Sequence, residues 1–119
     1  MPGLAEIENL TNYINDFIKS KSIDIINVHS SMMNDHITRK LHEEVGPSHK
    51  IIISTNIAES SITVKGVKYV IDFCLNKEIR FDLNSRMENL ELVWASKASC
   101  NQRAGRTGRV CDGSIFRLL

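Results

Sequence analysis

The sequence predicts an α/β domain built on a mostly parallel sheet flanked by helices, with one β-hairpin inserted into it. Two observations support this prediction. Short β-branched runs alternate with amphipathic helical patterns along most of the chain, and one pair of strand patterns instead flanks a short polar turn. At 119 residues the chain has the length of one domain, without internal repeats, low-complexity tracts or linkers.

The first half of the chain alternates helix and strand. Apolar residues recur at helical spacing from Leu4 to Ile18, which predicts a surface helix packed on a core. The run IDIINV at 23–28 predicts a buried strand, and a second helix is expected over 35–45. After the turn signal GPSH, the run KIIIST at 50–55 predicts a strand covered on both faces.

The second half adds the hairpin. The run VKYVIDF at 67–73 repeats the pattern of a buried strand, and segment 77–95 predicts two strands around the polar turn DLNSRMEN. Ser96 is a candidate N-cap for a helix through KASCNQRAG, and GSIFRLL predicts a last strand. Trp94 ends a strand pattern and is expected in the core.

Composition indicates a folded protein of a reducing compartment. The formal net charge is only +1, so any affinity for nucleic acid must come from local clustering of charge. Three cysteines without a C-x-x-C pair argue against a disulfide scaffold, and Cys100 is expected to be a small buried side chain. The histidines and cysteines have no zinc-type spacing, so no metal site is predicted.

The ends of the chain suggest its context. No signal peptide or membrane span is expected from the hydropathy pattern. The start, MPGLAEI, enters a helical pattern almost directly, as if an upstream strand were missing. We therefore expect the chain to be a fragment of a larger protein.

Two polar stretches follow predicted strands, where open α/β sheets place their ligand sites. The first, STNIAESSITVKGV, places five hydroxyl and amide side chains within the ten residues that follow Ser54. Such groups bind phosphate and sugar oxygens, although the ordinary role of Ser and Thr in such a loop is helix capping. The five are Thr55, Asn56, Ser60, Ser61 and Thr63.

The second stretch is QRAGRTGR, near the end of the chain. On a helix, the charges of Arg103 and Arg106 would lie on neighbouring faces and repel each other. Glycine inside a helix lowers its stability by about 1 kcal/mol relative to alanine. Gly105 and Gly108 therefore predict that the helix ends here and that the chain passes close to another group. Guanidinium groups bind phosphate bidentately, which favours a phosphate-bearing partner. A basic helix C-terminus would explain neither Gln102 nor the glycines.

Together, STNIAESSITVKGVKYVID and SKASCNQRAGRTGR resemble motifs V and VI of DEAH-box ATP-dependent RNA helicases, in order and spacing. With PGLAEIENL and VHSSM, the resemblance covers nearly the whole chain. It implies that residues 1–119 form the second, C-terminal RecA-like domain, a fold of the P-loop NTPase type. The variants VIDFC and ASKASCNQR most resemble the Tudor-domain-containing branch, which acts in germline piRNA silencing of transposons.

The resemblance implies catalytic roles in motif VI. Gln102 would orient the attacking water, and Arg106 and Arg109 would bind the terminal phosphates of ATP as arginine fingers. Arg103 would hold the motif in place through internal contacts. ATP with Mg²⁺ would lie between this domain and a first RecA-like domain, which supplies the Walker loop and the acidic Mg²⁺ box.

The resemblance also implies two sets of binding residues. Ser30, Thr55 and Asn56 match positions that contact the RNA backbone. Ser61 and Thr63 match positions near the nucleotide, so together with the two arginine fingers they are the expected ATP-binding residues.

Some positions depart from the family pattern. Lys65 stands where members commonly have an Asp that contacts the ribose, and Leu41 and His42 stand where many stack an aromatic on the adenine. The hairpin turn at 82–89 matches the element against which nucleic-acid strands separate. The chain contains no G-x-x-x-x-G-K-[ST] and no D-E-x-H, so alone it is not expected to hydrolyse ATP.

Three functions therefore stay open. The first is a motor lobe of an RNA helicase. The second is a non-catalytic RNA-binding or scaffolding lobe, which Lys65 and the segment KLHEE favour. The third is a DNA-translocating relative, and dependence of activity on the 2′-OH of RNA would distinguish it from the first two. The expected partners are RNA, the first RecA-like domain and, through other domains, piRNA-pathway proteins. The isolated chain is expected to be a monomer, and the protein to be cytoplasmic, in a perinuclear germ granule.

Overall fold

Three helices and six strands make up the part of the chain that the structure describes. The structure is a computed structural model, and it describes residues 2–18, 22–43, 49–60, 62–109 and 111–119, without the side chains of Met32 and Ile57. The helices are α1 (Leu4–Phe17), α2 (Asp35–His42) and α3 (Lys97–Ala104). The strands are β1 (Ile23–Val28), β2 (His49–Ser54), β3 (Tyr69–Asp72), β4 (Leu75–Asp82), β5 (Met87–Trp94) and β6 (Ser114–Arg117). The end of the second predicted helix, at 44 and 45, lies outside the described residues.

The strands pair as the alternating pattern predicts. β1 and β2 run parallel with Val28 opposite Ser54, and β3 and β6 run parallel with Tyr69 opposite Ser114. β4 and β5 form the predicted antiparallel hairpin. Within the described ranges, ladder hydrogen bonds join the strands as three separate pairs. The parallel pairs bring the carboxyl ends of neighbouring strands together, which positions the site described below.

A small apolar core lies between the first parallel pair and the elements that cover it. Ile26 and Val28 of β1 pack with Leu41 of α2 and with Ile62, and all four are buried. α1 contributes Ile7, which is fully buried. None of the helices in the described ranges has the length and apolar character needed to cross a membrane.

Several apolar side chains that were predicted to be buried are exposed. Only Ile53 of β2 is buried, and on β3 Tyr69 and Ile71 are 59% and 63% exposed. An apolar run does not reveal how many faces of a strand are covered, and here α3 packs against β3 while the Tyr69 side stays open. The prediction for Trp94 was wrong, since it is 66% exposed. It shares the apolar face of a hairpin whose strands contact chiefly each other.

The N-cap of α3 is confirmed and gives a stability prediction. The Ser96 hydroxyl accepts a hydrogen bond of 3.1 Å from the backbone N–H of Ser99. We expect Ser96→Ala to lower the free energy of unfolding by about 1 kcal/mol, because it leaves that N–H without a protein acceptor. Chemical denaturation of the chain would measure this loss. Ser96→Asp is the matched control, since it can cap equally well, and an equal loss in both variants would contradict the capping role.

Candidate functional site

Arg103 lies at the centre of a polar network that joins α3 to two other segments. Its Nε donates to Glu59 Oε1 and its Nη1 donates to Asp72 Oδ1, each at 2.7 Å. Nη2 donates to the carbonyl oxygen of Leu75 at 3.4 Å and to Asn76 Oδ1. All of the guanidinium nitrogens are therefore used inside the domain, as expected for a residue that holds the motif in place.

The network is mostly buried and pairs one guanidinium with two carboxylates. The side chain of Arg103 is 13% exposed, and those of Glu59 and Asp72 are 13% and 1% exposed. Burial alone would raise the pKa of the Asp72 carboxyl, but the Arg103 guanidinium and the backbone N–H of Cys74 hold that pKa below its usual range. The two carboxylates raise the pKa of Arg103 in turn. These carboxylates neutralise the positive charge of Arg103, which the sequence spacing predicted to repel the charge of Arg106.

α3 ends where its glycines predicted. Gly105 caps the helix with right-handed backbone angles, which any residue can adopt. Gly108 has φ +75°, in the left-handed region that favours glycine. Between them the Thr107 hydroxyl donates to the carbonyl oxygen of Val67 at 2.6 Å. A Cβ on Gly113 would lie 1.8 Å from Thr107 Oγ1, so that position must be glycine for this contact to form. The turn after α3 is thereby fixed against the start of β3.

Arg106 and Arg109 follow the helix and line one pocket. Arg106 Nη1 donates to the carbonyl oxygen of Ile62 at 2.9 Å, and its buried Nε has no hydrogen-bond partner in the described part of the chain. Arg109 is exposed and donates from Nε to the carbonyl oxygen of Gly105 at 2.7 Å. The pocket is open and measures about 60 Å³. It is lined by Thr63, Val64, Lys65, Gly66, Val67, Arg106 and Arg109.

The size and charge of this pocket limit what it can hold. Pockets that enclose small-molecule ligands usually measure about 300 Å³ or more, so this one can form only part of a nucleotide site. Among the described residues, its lining has three cationic side chains and no carboxylate. That chemistry fits phosphate oxygens, and it does not fit Mg²⁺, which prefers carboxylate and water ligands.

The structure brings together some of the predicted nucleotide residues and separates others. Thr63 and the two expected arginine fingers share the pocket. Gln102 is exposed on α3 and is not among the residues that line it. Ser61 lies outside the described residues.

The three predicted RNA-binding residues lie together at the ends of neighbouring strands. Val28 of β1 pairs with Ser54 of β2, and the backbone N–H of Thr55 donates to the carbonyl oxygen of Val28 at 3.2 Å. Ser30 begins the turn after β1, and Asn56 begins the turn after β2. Both residues are exposed. Their polar groups are therefore available to a ligand that crosses the carboxyl edge of this strand pair.

Sequence reasoning missed Glu59, which connects the two stretches. Its Oε1 accepts from Arg103 and its Oε2 accepts from the Ser99 hydroxyl at 2.9 Å. An acidic residue in a loop suited to phosphate was the available signal, because such a charge needs a nearby cation. Glu59 makes the first polar stretch and α3 parts of one unit.

Comparison with known proteins gives consistent matches. Residues 5–111 match the family described as the helicase conserved C-terminal domain. The ATP-dependent RNA helicase TDRD9 of Homo sapiens is 45% identical over 122 residues, which covers 100% of this chain and 8% of that protein. The probable ATP-dependent RNA helicase spindle-E of Drosophila pseudoobscura pseudoobscura is 42% identical over 123 residues, again with 100% and 8% covered.

A solved structure confirms the fold. The crystal structure of the DExH-box NTPase HrpB of E. coli superposes with a TM-score of 0.89 and 28% identity, covering 99% of this chain and 14% of that one. The resemblance to DEAH-box RNA helicases and the RecA-like α/β class are therefore confirmed. The chain spans less than a tenth of the length of the curated relatives described above.

Proposed function

The chain belongs to the helicase conserved C-terminal domain family, and from that premise we propose that it is the second motor lobe of an ATP-dependent RNA helicase. In this proposal residues 1–119 are one domain of a longer protein, and a first RecA-like domain supplies the rest of the nucleotide site. The pocket lined by Thr63, Arg106 and Arg109 is the observation that supports the proposal best. It is cationic, open and too small to enclose a nucleotide.

The two arginines have different tasks in this proposal. Arg109 is exposed on the turn after α3. Arg106 has a buried Nε that has no partner among the described residues, beside an Nη1 bound to a carbonyl oxygen. When the two lobes close on ATP, both guanidinium groups would contact the terminal phosphates and stabilise charge that develops in the transition state. Gln102 would orient the attacking water, and Ser61 would contact the nucleotide with Thr63. Mg²⁺ would be held by the first lobe, since this pocket offers it no carboxylate.

RNA would cross the carboxyl edge of β1 and β2. Ser30, Thr55 and Asn56 offer hydroxyl, amide and backbone N–H groups there, which suit phosphate and sugar oxygens. The bonds from Glu59 to Ser99 and Arg103 would couple this edge to the arginine motif. Closure and release of the lobes would then convert hydrolysis into movement along RNA, with strands separating at the hairpin turn 82–89.

The relatives support a biological setting for this proposal. Because TDRD9 and spindle-E are similar over the whole chain, we place the protein in germline piRNA-mediated transposon silencing, in the cytoplasm and within perinuclear germ granules. Its further partners would be piRNA-pathway proteins that bind other domains, and this lobe alone would be monomeric.

The proposal is tested by comparing the full-length protein with the 119-residue chain. We expect ATP hydrolysis stimulated by RNA in the full-length protein, and no measurable hydrolysis with weak, salt-sensitive RNA binding in the isolated chain. A DNA oligonucleotide of the same sequence is the matched control for the 2′-OH. Equal stimulation by DNA would favour a DNA translocase. Hydrolysis of ATP by the isolated chain would contradict a nucleotide site shared between two RecA-like domains.

A second candidate is a non-catalytic RNA-binding or scaffolding lobe. Lys65 favours it, because this cation lines the pocket at the position where the family commonly has an Asp that contacts the ribose. Full-length protein that binds RNA without hydrolysing ATP would support this second function.

A further inference from the structure

A buried carboxylate and two thiols meet beneath α3. The carboxylate of Asp72, the Sγ of Cys74 and the Sγ of Cys100 supply three donor atoms that all lie within 4.8 Å of one another. Asp72 ends β3, Cys74 follows it, and Cys100 projects from α3. No zinc-type spacing in the sequence indicates this cluster, because only the fold brings Cys100 to the other two.

Cys74 occupies an unusual backbone position. Its φ is +56°, in the left-handed region that favours glycine, and its side chain is buried. Its Sγ lies 3.7 Å from the carbonyl oxygen of Asp72. A thiol therefore stands in the interior at a position where glycine would fit the backbone without strain.

The Asp72 carboxylate is only partly satisfied. Its Oδ1 accepts hydrogen bonds from Arg103 and from the backbone N–H of Cys74, while its buried Oδ2 accepts none in the described part of the chain. The Cys100 thiol lies close enough to help lower the pKa of Asp72. Burial, the charge of Asp72 and the neighbouring Cys100 raise the pKa of the Cys74 thiol. In the described part of the chain, the cluster therefore offers a carboxylate oxygen without a hydrogen bond close to two thiols.

We propose that Cys74 Sγ, Cys100 Sγ and Asp72 Oδ2 bind a Zn²⁺ ion, with water at the fourth position. Two thiolates and a carboxylate are donors that Zn²⁺ accepts, and harder cations such as Mg²⁺ disfavour thiolates. Zinc–ligand distances of about 2.0–2.3 Å place donor atoms roughly 3.5 Å apart in a tetrahedron, so small side-chain movements suffice.

The bound ion would offset most of the negative charge in the cluster. Binding releases one proton from each thiol, and the two thiolates with the carboxylate then carry three negative charges. Zn²⁺ and the guanidinium of Arg103 together carry three positive charges, so one negative charge remains when Glu59, the other carboxylate bound to Arg103, is counted. Arg103 binds Oδ1, so it leaves Oδ2 to the metal. The ion would fasten α3 to the junction of β3 and β4, and this inference does not depend on the proposed catalytic roles.

Cobalt titration of the full-length protein tests the site. The reduced, chelator-treated protein is titrated with Co²⁺, and we expect a sulfur-to-cobalt charge-transfer band in the near ultraviolet that Zn²⁺ then abolishes. Cys100→Ser and Cys74→Gly should each weaken the Co²⁺ affinity of this site by more than about 100-fold, since losing a ligand exceeds the effect of losing an outer partner. Cys74→Gly should fold, because φ +56° suits glycine.

The controls make the result decisive. Cys111→Ser removes a thiol that is exposed and lies outside the cluster, so its difference spectrum should match that of the wild type. The proposal is overturned if the wild type shows no band that Cys100→Ser removes. It is also overturned if, once the reductant is removed in air, O₂ oxidises the two thiols to a Cys74–Cys100 disulfide, detected by mass, even when Co²⁺ is present.

Discussion

In the full-length protein, Arg106→Ala and Arg109→Ala are each expected to lower the kcat of RNA-stimulated ATP hydrolysis by about 10³-fold or more, the scale of an arginine finger. The reason is geometric. Both side chains line the cationic pocket beside Thr63, and alanine removes charge that would bind the terminal phosphates most strongly in the transition state. Because the loss concerns the transition state, the KM for ATP should change far less than kcat. Steady-state kinetics at saturating RNA would measure both constants.

Two further variants separate this role from simple loss of charge or fold. Arg106→Lys keeps the charge but loses the planar fork, so it should recover little activity. Arg39→Ala removes an exposed arginine from α2 that does not line the pocket, and this variant should hydrolyse ATP like the wild type. Arg106 also binds the carbonyl oxygen of Ile62, so thermal unfolding must show that its variants are folded. Wild-type turnover in folded Arg106→Ala and Arg109→Ala would refute the catalytic assignment.

The sequence predicted those parts of the fold that local patterns determine. Helical spacing from Leu4 gave α1, the β-branched run at 23–28 gave β1, and the polar turn DLNSRMEN gave the hairpin. The end of α3 could be read from Gly105. In each case the signal lies within a few residues of the feature, so the local sequence pattern is enough to predict the element.

Burial and charge pairing could not be predicted in the same way. The apolar run on β3 looks the same whether one face or two are covered, and Ile71 proved to be exposed. Arg103 pairs with Glu59 and Asp72, which are 44 and 31 residues away in the sequence. Only the resemblance to a family suggested that Arg103 makes internal contacts, and nothing in the sequence identified the carboxylates. Such pairs depend on the packing of separate elements.

Arg103→Ala is expected to lower the free energy of unfolding by about 3–5 kcal/mol, the usual cost of breaking a buried ion pair from one side. The variant would leave Asp72 and Glu59 charged and without their main cation, and the Asp72 side chain is only 1% exposed. Urea denaturation of the chain at neutral pH would measure the loss. Lys77→Ala is the matched control, because it breaks the more exposed ion pair with Glu6 and should cost at most about 1 kcal/mol.

The pH dependence identifies the cause of that loss. In the wild type the pKa of Asp72 is lowered by Arg103, so this stabilisation is present above the ordinary aspartate pKa of about 3.9 and disappears as the pH falls through the folded-state value. Without Arg103, burial favours the neutral acid and raises the pKa of Asp72. The difference between wild type and Arg103→Ala should therefore already shrink as the pH falls towards about 4, and shrink further below it. Adding Asp72→Asn to Arg103→Ala should recover part of the stability at neutral pH, because it removes the buried charge. A pH-independent difference with no recovery would instead mean that Arg103 stabilises the domain by packing alone.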